Sequence, residues 1–238
     1  MRPRIAIPVP HSQKPDYNQR SLPDYISAVE KSGGEAVVIP QEAGNAEIAK
    51  LAATCQGVLL PGSPADVDPQ KFNQPRDPKT ADADSARDNA DELLLQDAYN
   101  MRKPVLGICY GLQSLNVWRS GTLVQHIQSP IDHEIGRKAV IAHEVTVEPG
   151  SRLAATLGGV RVPVNSSHHQ SADVAGDGLR IVAKSPTDGI IEALEGTDPE
   201  HWVLAVQWHP ERGFDDDEAS RKIFRDFIAA SSKKATNR

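Results

Sequence analysis

Cysteine occurs only twice in these 238 residues, at Cys55 and Cys109. That is too few for a disulfide framework, and in a chain that reads as cytoplasmic both are expected to stay reduced. Cationic excess is missing as well. Lys and Arg number 26 against 32 Asp and Glu, giving a formal charge of -6 and a pI near 5.7, which excludes a dedicated nucleic-acid surface because phosphate neutralisation needs clustered Lys and Arg. Long apolar runs are absent: nothing approaches the ~20 residues of a membrane helix. The opening run Ile5-Ala6-Ile7-Pro8-Val9 is too short and too interrupted by proline for a signal-peptide core. Neither a membrane partner nor secretion is expected, and there is no internal repeat or low-complexity segment.

What is present is the composition of a folded enzyme, 39% hydrophobic and 24% charged, in a length that one elaborated α/β domain accommodates. Short apolar runs at 5–9, 36–39, 57–60 and 104–108 alternate with segments of helical periodicity at 22–29, 46–54 and about 84–101. Such an alternation predicts a parallel, doubly wound, flavodoxin-like sheet with helices on both faces and ligands at the carboxyl ends of its strands. Beyond Ser120 the pattern changes. Runs at 144–148, 179–183 and 190–194 read as added antiparallel strands between turn residues, Val203 to Trp208 as a last buried strand, and Asp217 to about Ser231 as an amphipathic helix. The expected organisation is a single domain over 1–231 with a frayed tail over 232–238.

Gly107-Ile108-Cys109-Tyr110-Gly111 has the spacing of a nucleophile elbow, with an apolar strand ending at Ile108 and a helix beginning near Leu112. At such a turn the flanking glycines relieve crowding, the helix dipole favours thiolate, and backbone N–H groups face a developing oxyanion. Cys55 has no such setting and reads as a buried, inert thiol. Gln207-Trp208-His209-Pro210-Glu211 closes the last buried strand. There His209 is placed to shuttle a proton and Glu211, two residues on, to orient the imidazole and stabilise its charged form.

These motifs, about 100 residues apart, resemble the class I glutamine amidotransferase-like superfamily. Together with Gly121-Thr122-Leu123 and Val164-Asn165-Ser166-Ser167-His168-His169-Gln170, they look like the gamma-glutamyl-gamma-aminobutyrate hydrolase family. The resemblance implies cleavage of a gamma-glutamyl amide through a thioester on Cys109, without a cofactor, on a small-molecule substrate. It also implies that Leu60-Pro61-Gly62-Ser63-Pro64 is an oxyanion loop, with the N–H of Gly62 or Ser63 joining that of Tyr110. Gln113 would line the glutamyl pocket, and His168 or His169 would contact the glutamyl moiety or the amine. Arg87-Asp88 matches a family feature near that loop; its alternative is a solvated ion pair.

Against that pattern, Tyr110 stands where many relatives carry Arg, and Trp118, Arg119 and Ser120 replace small residues before Gly121, so an altered pocket is expected. No metal is expected either. Although His126, His133 and His143 accompany His168 and His169, neighbouring strand positions point apart and no cysteine or carboxylate spacing supports zinc. Two other functions use the same fold: a glutaminase subunit supplying ammonia to a separate synthetase, and a silent binding protein. With no synthetase domain after residue 238, a stand-alone hydrolase, as monomer or homodimer, is the expectation.

Overall fold

In the computed structural model, residues 2–236 are described. The first half lays down β1 (Arg4–Pro8), α1 (Pro15–Lys31), β2 (Glu35–Ile39), α2 (Asn45–Ala53), β3 (Gly57–Leu60), α3 (Ser85–Met101), β4 (Val105–Ile108) and α4 (Tyr110–Trp118). The second half adds β5 (Leu123–Val124), β6 (His143–Val147), α5 (Arg152–Leu157), β7 (Arg161–Val164), β8 (Ser171–Ala172), β9 (Leu179–Lys184), β10 (Ile191–Gly196), β11 (Val203–Val206), α6 (Pro210–Gly213) and α7 (Glu218–Thr236).

Nine strands form one sheet in the order β2-β1-β3-β4-β11-β10-β9-β6-β7. The first five pair in parallel, and β10, β9, β6 and β7 extend the sheet antiparallel. That is the flavodoxin-like arrangement with antiparallel additions. The parallel strands are apolar on every residue in β3, β4 and β11 because both faces are covered. Ile5, Ile7, Leu59, Leu106, Ile108, Leu204 and Val206 point to one face, against Tyr25, Ala28 and Val29 of α1 and Phe224, Phe227 and Ile228 of α7. Ala6, Val58, Leu60, Val105 and Ala205 point to the other, against Ile48 of α2, Leu94 and Leu95 of α3, and Leu112 and Leu115 of α4.

Two boundaries differ from the sequence expectation. α1 begins at Pro15 rather than Leu22, because Pro15 serves as a preformed first-turn residue and the helix tolerates Pro23 within it. α7 continues to Thr236, past Ser231, so 232–236 belong to the helix, while 237–238 lie outside the described residues. β7 is an addition. Its Pro163 masks a strand in the sequence but is harmless at the outer edge of the sheet, where an N–H is not needed.

Candidate active site

The carboxyl ends of β3, β4 and β11 meet at one place, and each contributes a turn. After β4, Cys109 takes φ 54° and ψ -108° as the residue capping α4, a positive-φ conformation rare for a non-glycine residue. The elbow is possible because its glycines let the chain fold back on itself. A Cβ on Gly111 would stand 2.1 Å from the Leu60 carbonyl oxygen, and one on Gly107 2.8 Å from that of Gly111. Tyr110 is the first residue of α4, so its N–H belongs to those a helix leaves without an internal acceptor.

After β11, His209 is buried, and its Nδ1 lies 2.7 Å from Glu211 Oε1. The carboxylate fixes the tautomer: Nδ1–H donates to Glu211 and Nε2 carries the free lone pair. Burial alone would lower the His209 pKa, but the carboxylate of Glu211 and the charge of Cys109 together hold it above 6.5. Burial likewise works against the Glu211 charge, and the His209 imidazolium outweighs it, keeping that carboxyl below 4.5. Arg212 Nη2 approaches His209 Nε2 at 3.3 Å and opposes the rise. Asn165 holds the His209 backbone from both sides: its Oδ1 accepts from the His209 N–H and its Nδ2 donates to the His209 carbonyl, both at 2.8 Å.

After β3, Gly62 lies between thiol and imidazole. A Cβ there would be 3.0 Å from His209 Cε1 and 3.5 Å from Cys109 Cβ. The Gly62 N–H donates to the Tyr25 hydroxyl at 3.0 Å, so of the two loop N–H groups considered for an oxyanion, that of Ser63 is the better placed to serve. Arg87, with no exposed surface, anchors this loop. Its Nη2 donates to the Pro61 carbonyl at 2.6 Å, its Nη1 to that of Pro10 at 3.0 Å, and its Nε to Asp91 at 2.7 Å. The solvated Arg87–Asp88 pair is thereby excluded. Asp88 instead accepts from the Tyr110 hydroxyl and pairs with Lys71 at 3.0 Å.

A cavity opens beside Cys109, lined among others by Ser63, Gln113, Glu134, Ser167, His168 and Gln170. Gln113 Nε2 donates to the Gln170 carbonyl at 3.2 Å and to Gln207 Oε1 at 3.3 Å. The two adjacent histidines part company. His169 sits at the rim with Asp66 Oδ2 3.0 Å from its Nε2, and that hydrogen-bonded carboxylate raises its pKa despite partial burial. His168 turns inward, and burial pushes its pKa well below 6.5. Trp118 and Arg119 do not reach this cavity. They lie at the far end of α4 and stack on Tyr99, with ring centroids 4.9 Å apart for Trp118 and the guanidinium 4.8 Å from the Tyr99 ring. Cys55 is buried, and desolvation raises its thiol pKa. Asn165, Tyr25 and Arg212 carry no motif signal of their own for these roles, although Asn165 lies within the 164–170 segment and Tyr25 within the 22–29 helical one.

The family described as Peptidase C26 matches residues 6–211. "Putative glutamine amidotransferase Rv2859c" of Mycobacterium tuberculosis is 35% identical over 212 residues, spanning 88% of this chain and 67% of that protein. "Gamma-glutamyl-gamma-aminobutyrate hydrolase" of Escherichia coli O157:H7 is 34% identical over 218 residues, spanning 87% of this chain and 84% of that one. Among solved structures, a "putative gmp synthase subunit a protein" of Thermoplasma acidophilum superposes with a TM-score of 0.70 at 16% identity, over 100% of this chain and 98% of that chain. That likeness concerns the fold. Among the described residues no helix is long and apolar enough to cross a membrane.

Proposed function

Since the chain belongs to the Peptidase C26 family of class I glutamine amidotransferase-like hydrolases, we propose that it hydrolyses gamma-glutamyl amide bonds with Cys109 as nucleophile, His209 as proton shuttle and Glu211 as orienting carboxylate. The observation that carries this reading is the meeting of the positive-φ Cys109 elbow with a buried imidazole whose Nδ1 is held by Glu211 at 2.7 Å. The names of the relatives supply the substrate class, a glutamyl group joined through its gamma-carbonyl to a small amine such as gamma-aminobutyrate.

In the first half-reaction His209 Nε2 takes the Cys109 thiol proton, the sulfur bonds to the gamma-carbonyl carbon, and the carbonyl oxygen takes the electron pair of the C=O π bond. The N–H groups of Tyr110 and Ser63 receive that oxyanion. As the C–N bond breaks, His209 Nε2 gives its proton to the departing amine. In the second half-reaction His209 takes a proton from water, hydroxide adds to the thioester carbon, and glutamate leaves as the thiolate re-forms. Glu211 stabilises the imidazolium formed in each half. The cavity beside Cys109 holds the glutamyl end, with the Gln113 amide and Ser167 as polar groups within it.

The test is turnover of a panel of gamma-glutamyl amides, glutamine included, by the wild type and by Cys109→Ala. Turnover of gamma-glutamyl amines that vanishes in a folded Cys109→Ala protein is expected, together with a gamma-glutamyl thioester trapped by acid quench on the wild type. Unchanged turnover in the variant, or glutamine turnover that appears only with a partner synthetase, overturns the reading.

A further inference from the structure

Behind the cavity, three imidazoles and one carboxylate converge in a dry place that the hydrolytic chemistry does not use. Glu192 on β10 is fully buried, and neither of its carboxylate oxygens has a hydrogen-bond partner. Its Oε1 lies 3.4 Å from His143 Nε2, 3.6 Å from His133 Nδ1 and 3.7 Å from His168 Nε2. The donor atoms of His133, His168 and Glu192 lie within 4.8 Å of one another.

The protons of these rings are committed elsewhere. His133 Nε2 is 2.8 Å from Asp188 Oδ2, His168 Nδ1 is 2.9 Å from the Gln170 carbonyl, and His143 Nδ1 is 3.1 Å from the Glu144 carbonyl. Carbonyls and carboxylates only accept, so each of those nitrogens carries an N–H, and the opposite nitrogen of each ring is the one turned toward Glu192. Ser166 stands 3.4 Å from His133 Nδ1, but its hydroxyl hydrogen goes to the His133 carbonyl at 2.9 Å. Where those nitrogens are unprotonated, their lone pairs repel a carboxylate in a desolvated place unless a proton or a metal cation joins them.

We infer that His133, His168 and Glu192, with His143 as a fourth donor, form a binding site for a divalent first-row transition metal, zinc being the natural occupant. Bonds of ~2.0–2.2 Å arranged tetrahedrally set neighbouring donors ~3.3–3.6 Å apart, close to the separations from Glu192. The acceptors behind each ring are the outer supports that metal-bound histidines use to fix tautomer and orientation. A second cavity lined by His133 and His168 provides the way in. The ion would tie the 133 loop, the start of β6 and the 168 loop to β10, next to the strand that leads to His209. Glu192 carries no ligand signal in the sequence, where its neighbourhood reads as an ordinary strand and the four donors lie in separate segments.

The site is tested on untagged full-length protein in a Cys109→Ala background, so that neither a tag nor the nucleophile contributes a ligand and activity plays no part. Zinc competition against a chromogenic chelator should give one equivalent bound. Affinity should fall at least 100-fold in Glu192→Gln and stay unchanged in His126→Gln, which alters the half-buried pair with His169. Asp188→Asn should weaken binding by roughly 10–100-fold through its loss behind His133. Should Glu192→Gln not fold, the cobalt complex of the Cys109→Ala protein decides. Four-coordinate d–d absorption without sulfur-to-cobalt charge transfer supports the site. Less than a tenth of an equivalent bound, six-coordinate cobalt, or zinc affinity that survives Glu192→Gln overturns it.

Discussion

Asn165 clasps the backbone of His209, accepting from its N–H and donating to its carbonyl, both at 2.8 Å. The side chain touches no part of the imidazole in this clasp, yet it fixes the residue from which the imidazole hangs. Asn165→Ala should therefore lower kcat, with KM little changed. A displacement of about 1 Å at a proton-transfer group costs on the order of 10²-fold in rate. Asn165→Asp keeps the acceptor but loses the donor, so it should fall between the two. Steady-state kinetics on a gamma-glutamyl amide, with circular dichroism to confirm folding, distinguishes this positioning role from a general loss of structure.

The pH behaviour follows from the His209–Glu211 pair. Because the folded pKa of His209 lies above 6.5, its charged form adds stability that is complete below 6.5 and is lost as pH rises through the folded value. The folded pKa of Glu211 lies below 4.5, so its contribution is present above 4.5 and is lost as pH falls through the folded value. Glu211→Gln removes the charge that holds the imidazole's proton. The basic limb of kcat/KM should move to lower pH, and kcat should drop roughly 10²–10⁴-fold. A basic limb that stays in place would mean that another group orients His209.

The parallel half of this fold was legible because its strands are buried on both faces and announce themselves as unbroken apolar runs: β3 begins and ends where Gly57 to Leu60 suggest. The elbow and the strand-end histidine were legible for the same reason, since both sit directly after such a run. What could not be read were relations between segments distant in sequence. Arg87-Asp88 reads in the sequence either as a feature near the Leu60–Pro64 loop or as a solvated ion pair, and only packing shows Arg87 spanning Asp91, Pro10 and Pro61. Glu192 lies in a strand of ordinary pattern. Trp118 and Arg119 follow the elbow in sequence, but α4 carries them away to Tyr99, so neither lines the cavity beside Cys109.

Arg87 separates stability from activity. Arg87→Met would leave Asp91 buried without its guanidinium partner and already lacking a partner at Oδ2. Losing one member of a buried pair costs about 3–5 kcal/mol. Adding Asp91→Leu removes the stranded carboxyl, and much of the stability should return. Activity should not, because the Pro61 carbonyl still lacks the donor that sets the loop beside Cys109. Urea unfolding and kcat measured side by side on the single and double variants test this. Parallel recovery of both would deny Arg87 a role in placing the loop.

The sharpest steric prediction concerns Gly111. Its hypothetical Cβ meets backbone, 2.1 Å from the Leu60 carbonyl oxygen and 2.8 Å from the Leu60 carbonyl carbon, so no side-chain rotation relieves the clash. Either α4 lifts from β3 or β3 shifts, and both movements pull Cys109 away from Gly62 and His209. Gly159 offers the contrast. Nothing lies within 4 Å of its Cβ position and its φ is not in the left-handed range, so Gly159→Ala should be neutral within roughly 0.5 kcal/mol. Gly111→Ala should lose several kcal/mol, in the range where backbone strain and overpacking act together, and retain little turnover even where it folds. Reaction of Cys109 with a glutamine-mimicking chloroketone gives the deciding readout. Fast single-site labelling in the Gly159 variant and slow labelling in a folded Gly111 variant are expected, whereas equal rates would show that the elbow does not depend on this close approach.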